Sequence, residues 1–121
     1  ARTRAHAPYS RFHVGAALRT ADGEIIAGAN VESASYGLSC CAERVTLFKA
    51  ITDGHDDFKA IVIASPGGAF PCGACRQLLA EQAPTAAILL IDSNNPEIIT
   101  ETTIQTLHPN AFTGDQLSSN D

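Results

Sequence analysis

The sequence predicts an α/β sandwich built on a mixed sheet. Three observations carry the prediction: short apolar runs alternate with segments of helical spacing, the first two runs are joined by a tight turn, and the later runs are separated by helix-length crossovers. The turn makes the first pair of strands antiparallel, and the crossovers favour parallel neighbours, so the sheet is mixed. With 121 residues, of which 45% are apolar, the chain supports one core, and a single domain over residues 1–121 is expected.

Residues 14–18 and 25–29 are short apolar runs joined by Thr20-Ala21-Asp22-Gly23, whose Asp-Gly pair is a hairpin signal. From 41 to 51, Cys41, Val45 and Phe48, with Leu47 and Ile51 beside them, follow helical spacing, and Gly54 provides a stop. Residues 60–64 read as a strand buried on both faces, ended by Ser65-Pro66-Gly67-Gly68. Pro71 then precedes Cys72, and Cys75, Leu78, Leu79 and Gln82 recur at helical intervals up to Pro84, so a C-x-x-C opens the second helix. Residues 87–91 form another buried strand, 97–100 a short strand and 103–107 a short helix stopped by Pro109; the polar stretch 113–121 is expected to fray.

Composition narrows the function. Eight Lys+Arg against thirteen Asp+Glu give a net charge of −5, which offers no footprint for a phosphate backbone, so nucleic acid is not the expected partner. The longest apolar stretch, 86–91, falls far short of the roughly 18 residues of a membrane span, and no leader sequence opens the chain. A soluble protein that engages no membrane is expected. There is no methionine, even at residue 1, so the sequence is expected to lack its natural start.

Four cysteines, Cys40, Cys41, Cys72 and Cys75, form two close pairs instead of a spread-out disulfide framework. They read as reduced and chemical, in keeping with a cytoplasmic protein. Zinc takes thiolates at about 2.3 Å, and the gap between Cys72 and Cys75 at a helix start lets both point at one ion. Helix N-termini also favour thiolates. Cys41 as the third ligand leaves the fourth tetrahedral position open for water, which implies hydrolysis. Glu43 lies two residues after Cys41, about 200° away on an ideal helix. In the first turn both can still serve one pocket, where the carboxylate moves protons between water and leaving group. Three thiolates on Zn²⁺ carry a formal −1, which nearby positive charge must offset. Arg44 and Arg76 are the candidates to donate to the sulfurs, Arg44 first.

Cys41-Ala42-Glu43, separated by 27 residues from Pro71-Cys72-Gly73-Ala74-Cys75, resembles the zinc-dependent cytidine deaminases, in which three Cys, or His and two Cys, hold the metal beside a non-ligating Glu. The likeness continues through Ala7-Pro8-Tyr9-Ser10-x-Phe12-x-Val14-Gly15-Ala16-Ala17, Asn30-Val31-Glu32 and Leu107-His108-Pro109-Asn110-Ala111-Phe112. It implies a three-layer α-β-α sandwich with a five-stranded mixed sheet, Cys41, Cys72 and Cys75 as zinc ligands, and Glu43 as proton shuttle. It also implies Phe12 against the pyrimidine, Asn30 and Glu32 on the sugar hydroxyls, Ala42 at the substrate, and Phe112 reaching a neighbouring subunit's site in a homotetramer. The implied reaction is hydrolytic deamination of cytidine and 2′-deoxycytidine with release of ammonia, as in pyrimidine salvage. Residues 1–7 correspond to the end of a longer helix in that family. Position 40, aliphatic or small in the family, is here a cysteine, read as a packed spectator.

Other readings use the same residues. A closed Cys₄ structural site needs Cys40 and Cys41 on one ion, although consecutive side chains diverge. A thiol redox module accounts for the C-x-x-C but leaves Cys41, Glu43, Asn30 and Glu32 unexplained. A blasticidin-type nucleoside deaminase is disfavoured by Glu32, whose carboxylate suits a free ribose hydroxyl, and polynucleotide editing by the lack of cations. His6, His13, His55 and His108 lie outside the cysteine motifs and are assigned no role.

Overall fold

The computed structural model describes residues 1–112, with the side chain of Tyr36 excepted; the tail expected to fray from 113 lies outside the described residues. The elements follow in the order β1 (Gly15–Thr20), β2 (Ile25–Ala29), α1 (Ala42–Thr52), β3 (Phe58–Ser65), α2 (Gly73–Gln82), β4 (Ala87–Asp92), β5 (Asn95–Thr103) and α3 (Ile104–Leu107), with 3-10 turns at Arg2–Arg4 and Tyr36–Leu38. The five strands form one sheet in the order β2-β1-β3-β4-β5. β1 runs antiparallel to both β2 and β3, β3 and β4 are parallel across α2, and β5 returns antiparallel to β4. The sheet is therefore mixed, as expected.

The hairpin closes as the sequence indicates. Thr20 N donates to Glu24 O at 2.9 Å, the Thr20 hydroxyl bonds the Asp22 carboxylate, and Gly23 takes a left-handed φ of 88°. Glycine enters that region without a Cβ clash. β5 is longer than the expected 97–100. Its nine residues are exposed almost throughout, so polar side chains conceal a strand defined by hydrogen bonds to β4 rather than by burial. Pro96 sits in this edge strand, where a missing N–H is tolerated.

Ala16, Ile63 and Leu90 line up across the sheet, as do Leu18, Ile61 and Ile88, and these form one core with Leu47 and Ala50 of α1, Leu79 of α2 and Ile104 of α3. All three helices thus cover the same face. The opposite face, with Ala17, Val62 and Leu89 in register, carries among the described residues one regular element, the Arg2–Arg4 turn. Its Arg2 backbone N lies 2.4 Å from where a Cβ on Gly15 would stand. Among the described residues, that turn is what stands on this second face of the sheet.

The packing face of α1 also differs from expectation. Ala42, Thr46, Leu47 and Ala50 are buried, while Phe48 is 44% exposed. Small residues win because α1 lies close on β2: a Cβ on Gly28 would stand 2.6 Å from Thr46 Oγ1 and 3.1 Å from Thr46 N. Gly28→Ala is accordingly expected to lower unfolding stability by about 1–3 kcal/mol, the usual range for overpacking. Urea denaturation measures it, and an unchanged midpoint would contradict this close approach.

Candidate active site

The start of β1 and the ends of β2 and β3 meet at one end of the sheet, where Gly15 pairs with both Ala29 and Ala64. The loops from these strand ends and the N-termini of α1 and α2 enclose a cleft of about 420 Å³. Phe12, Asn30, Glu32, Cys41, Ala42, Glu43, Arg44 and Cys72 are all among its lining residues.

Cys41 and Cys72 are the N-cap residues of α1 and α2, and both have extended backbones. This resolves the angular problem posed by Cys41 and Glu43: Cys41 lies outside the helix, so the rotation of an ideal helix does not separate them. The Cys41 and Cys72 sulfurs are 3.8 Å apart, Cys72 and Cys75 are 3.4 Å apart, and all three ligand atoms lie within 4.8 Å of one another. Tetrahedral coordination with bonds of about 2.3 Å sets sulfurs about 3.8 Å apart, so spacing and donor chemistry both fit zinc. Cys75 is buried, Cys41 half-buried and Cys72 exposed. Cys40 is not part of this group, the one such group among the described residues. Its backbone is paired with Val31.

Positive charge reaches the trio from Arg44, whose Nη2 donates to Ser39 O at 3.3 Å and lies 3.7 Å from Cys41 Sγ. Arg44 Nε is buried without a hydrogen-bond partner among the described residues. Arg76 corrects the sequence reading: its Nε donates to Pro71 O at 2.7 Å and its Nη1 to Leu107 O at 3.0 Å. It braces the turn before Cys72 through carbonyls, because the helix start directs its side chain backward onto that turn, away from the sulfurs. The Cys41 thiol is lowered to about 5, chiefly by hydrogen bonding with the Cys75 thiol, with Arg44 assisting and burial opposing. The Cys75 thiol is pushed up by the same shared proton and by burial.

Glu43 is only 6% exposed. Burial raises its carboxyl above the ordinary range, its own backbone N–H pulls partly back, and the charge of Cys41 adds to the rise. A raised carboxyl holds a proton more readily than an ordinary one, which suits a group that must take a proton and give it back.

Asn30 and Glu32 are engaged with the loop that carries Phe12. Asn30 Oδ1 accepts from Val14 N at 3.0 Å and its Nδ2 donates to Phe12 O at 2.8 Å. Glu32 accepts from Tyr9 N at 3.0 Å, Ser10 N at 3.1 Å and Ser10 Oγ at 2.5 Å, and these bonds lower its carboxyl. Phe12 is 40% exposed and Ala42 fully buried. Phe112 is 55% exposed and stands outside the cleft lining, while its carbonyl accepts from Gln77 Nε2 at 2.6 Å. His55 pairs with Glu24 at 3.1 Å and His108 with Gln77 at 3.0 Å, and none of the histidines joins the trio. The sequence reading missed Phe70, which lines the cleft. Its signal was an aromatic residue in a glycine-rich loop directly before Pro71-Cys72.

The family described as the cytidine and deoxycytidylate deaminase zinc-binding region matches residues 1–91. A cytidine deaminase from Halalkalibacterium halodurans is 46% identical over 120 residues, covering 98% of this chain and 90% of the relative. A blasticidin-S deaminase from Bacillus cereus is 34% identical over 114 residues, 86% of this chain and 79% of the relative. The crystal structure of a cytidine deaminase from Burkholderia pseudomallei superposes with a TM-score of 0.86 at 45% identity, covering 92% of this chain and 90% of that one. Likeness this long, in sequence and in backbone alike, makes the chain a member of the cytidine and deoxycytidylate deaminase zinc-binding family.

Proposed function

We propose that this chain hydrolytically deaminates cytidine and 2′-deoxycytidine to uridine and 2′-deoxyuridine, releasing ammonia, as one catalytic domain that holds zinc on Cys41, Cys72 and Cys75. The observation that carries the reading is the gathering of three sulfurs beside a buried carboxyl in a nucleoside-sized cleft. When bound, zinc supplies Lewis-acid activation of a water molecule at neutral pH. Glu43 accepts the first proton of the attacking water and delivers it to N3 of the ring, then takes the second proton from the hydroxyl left on C4 and passes it to the departing amino group, so that C4 keeps the oxygen and ammonia leaves. Arg44, at 3.7 Å from Cys41 Sγ, offsets the thiolate charge. Phe12 covers the base. Asn30 and Glu32 receive the sugar hydroxyls with their remaining hydrogen-bonding capacity, while the bonds they already make hold the Phe12 loop in place.

The same reading includes a cytoplasmic homotetramer in which Phe112 reaches a neighbouring subunit's cleft. No helix among the described residues is long and apolar enough to cross a membrane. The likeness to blasticidin-S deaminase supports a second substrate reading, and Glu32 disfavours it because an open sugar hydroxyl suits its carboxylate.

Ammonia release is to be compared for cytidine, deoxycytidine, cytosine, blasticidin S and an oligonucleotide, using zinc-loaded protein. The two nucleosides are expected to dominate. Preferred turnover of blasticidin S would overturn the substrate, and inert nucleosides would overturn the activity. Light scattering against the 12.7 kDa chain reads the subunit number, and a monomer would remove the shared site.

A further inference from the structure

Phe70 stands 55% exposed, yet its ring belongs to the cleft that holds Cys41 and Glu43. A slack loop does not account for that exposure. Ala69 N donates to Ser65 Oγ at 2.8 Å and Gly68 N to Ser65 O at 3.1 Å, with Ser65 itself buried at the end of β3. Gly67 N donates to Asp92 Oδ1 at 2.9 Å, and the same oxygen accepts from Asn94 N at 2.9 Å. Gly67 and Gly68 hold left-handed φ angles of 79° and 66°, which glycine adopts freely. On the other side Pro71 leads directly into Cys72, the N-cap of α2. A large apolar side chain is therefore held at the cleft wall by a hydrogen-bonded loop and stays exposed in the single chain.

The strand order gives that wall its meaning. Asn30 follows β2 and Ser65 ends β3, with β1 between them, so Glu32 and Phe70 flank the cleft from sides about two strand spacings, or roughly 10 Å, apart. This matches the reach of a nucleoside from sugar to base. The β2 side offers an amide and a carboxylate, while the β3 side offers Ile63, Ala69 and Phe70. A flat apolar ring suits a heteroaromatic base and not a hydroxylated sugar.

We propose that Phe70 is a second base-contacting residue, covering the pyrimidine from the β3 side of the cleft and setting substrate affinity. The proposal rests on the deaminase reading above. Contact made equally in ground and transition states changes KM and leaves kcat nearly untouched.

The experiment compares wild type, Phe70→Ala, Phe70→Leu and Phe70→Tyr, all zinc-loaded, for cytidine kinetics, calorimetric binding of uridine, zinc content and subunit mass. Loss of one base–aromatic contact predicts a rise of about tenfold in KM for Phe70→Ala, with a matching loss of uridine affinity. The kcat should stay within about threefold, with zinc and mass unchanged. Phe70→Tyr should behave like wild type and Phe70→Leu fall between. Unchanged KM and uridine affinity in Phe70→Ala would overturn the proposal. So would a loss of affinity that comes with lost zinc or reduced mass, because Phe70 would then be a packing or assembly residue. Failure of the deaminase reading looks different: wild type itself would form no uridine from cytidine, and the proposal would fall with it.

Discussion

Glu43→Gln should keep its zinc at wild-type stoichiometry and lose nearly all turnover, by a factor of about 10²–10⁴, the usual worth of a positioned proton-transfer group. The amide matches the carboxylate in size and fits the same buried position, 6% exposed at the N-terminus of α1, so the fold and the sulfurs are left as they are. What disappears is the capacity to accept a proton and return it. Burial and the neighbouring Cys41 charge raise the Glu43 carboxyl, which prepares it to hold that proton between the two halves of the reaction. Among the described residues, Glu32 is the other carboxylate on the cleft wall, and its oxygens are bound to Tyr9 and Ser10. Kinetics on cytidine and metal analysis on the same sample make the check. Near-wild-type turnover would remove Glu43 from the chemistry, while loss of zinc would mean that it supports the metal instead.

The helix starts were the most legible part of this sequence, and the metal trio follows from them. Cysteines at the first positions of two helix-spaced segments become N-caps at the same end of one sheet, a placement that motif spacing and strand alternation already contain. Side-chain partners were less legible. Arg44 and Arg76 each stand beside a motif residue in sequence, yet one approaches a sulfur and the other braces carbonyls of Pro71 and Leu107. Only the packed turn decides between them. The buried face of α1 was misread because hydrophobicity favours Phe48 and Val45, whereas close approach to Gly28 selects Ala42, Thr46 and Ala50. β5 was shortened for a related reason: an edge strand owes its length to backbone pairing, which leaves little trace in polar side chains. Phe70 escaped notice because a single aromatic in a loop carries no period; the strand order β2-β1-β3 is what brings it to the same cleft as Glu32, 38 positions earlier in the chain.

Cys75→Ala should cost more than about 100-fold in zinc affinity and remove turnover with it, since even groups that only support a ligand are worth 10–100-fold. Cys75 is the buried member of the trio, 1% exposed, so water does not readily replace its sulfur. The same variant tests stability. Cys41 caps α1 and Cys72 caps α2, and neither side chain makes a capping hydrogen bond; with the ion held between them and Cys75, the two helix starts are tied together. Anything bound only by the folded state stabilises it, by about 4 kcal/mol at a free concentration 1,000 times Kd. Wild type should therefore melt at a lower temperature after chelation and recover when zinc returns, whereas Cys75→Ala should melt low and show little response to the chelator. Cys40→Ser provides the contrast. Its sulfur lies outside the trio, so zinc content and turnover should survive the change. If Cys40→Ser lost zinc and Cys75→Ala kept it, the ion would sit on a different set of sulfurs, and the open coordination position required for hydrolysis would lose its structural basis.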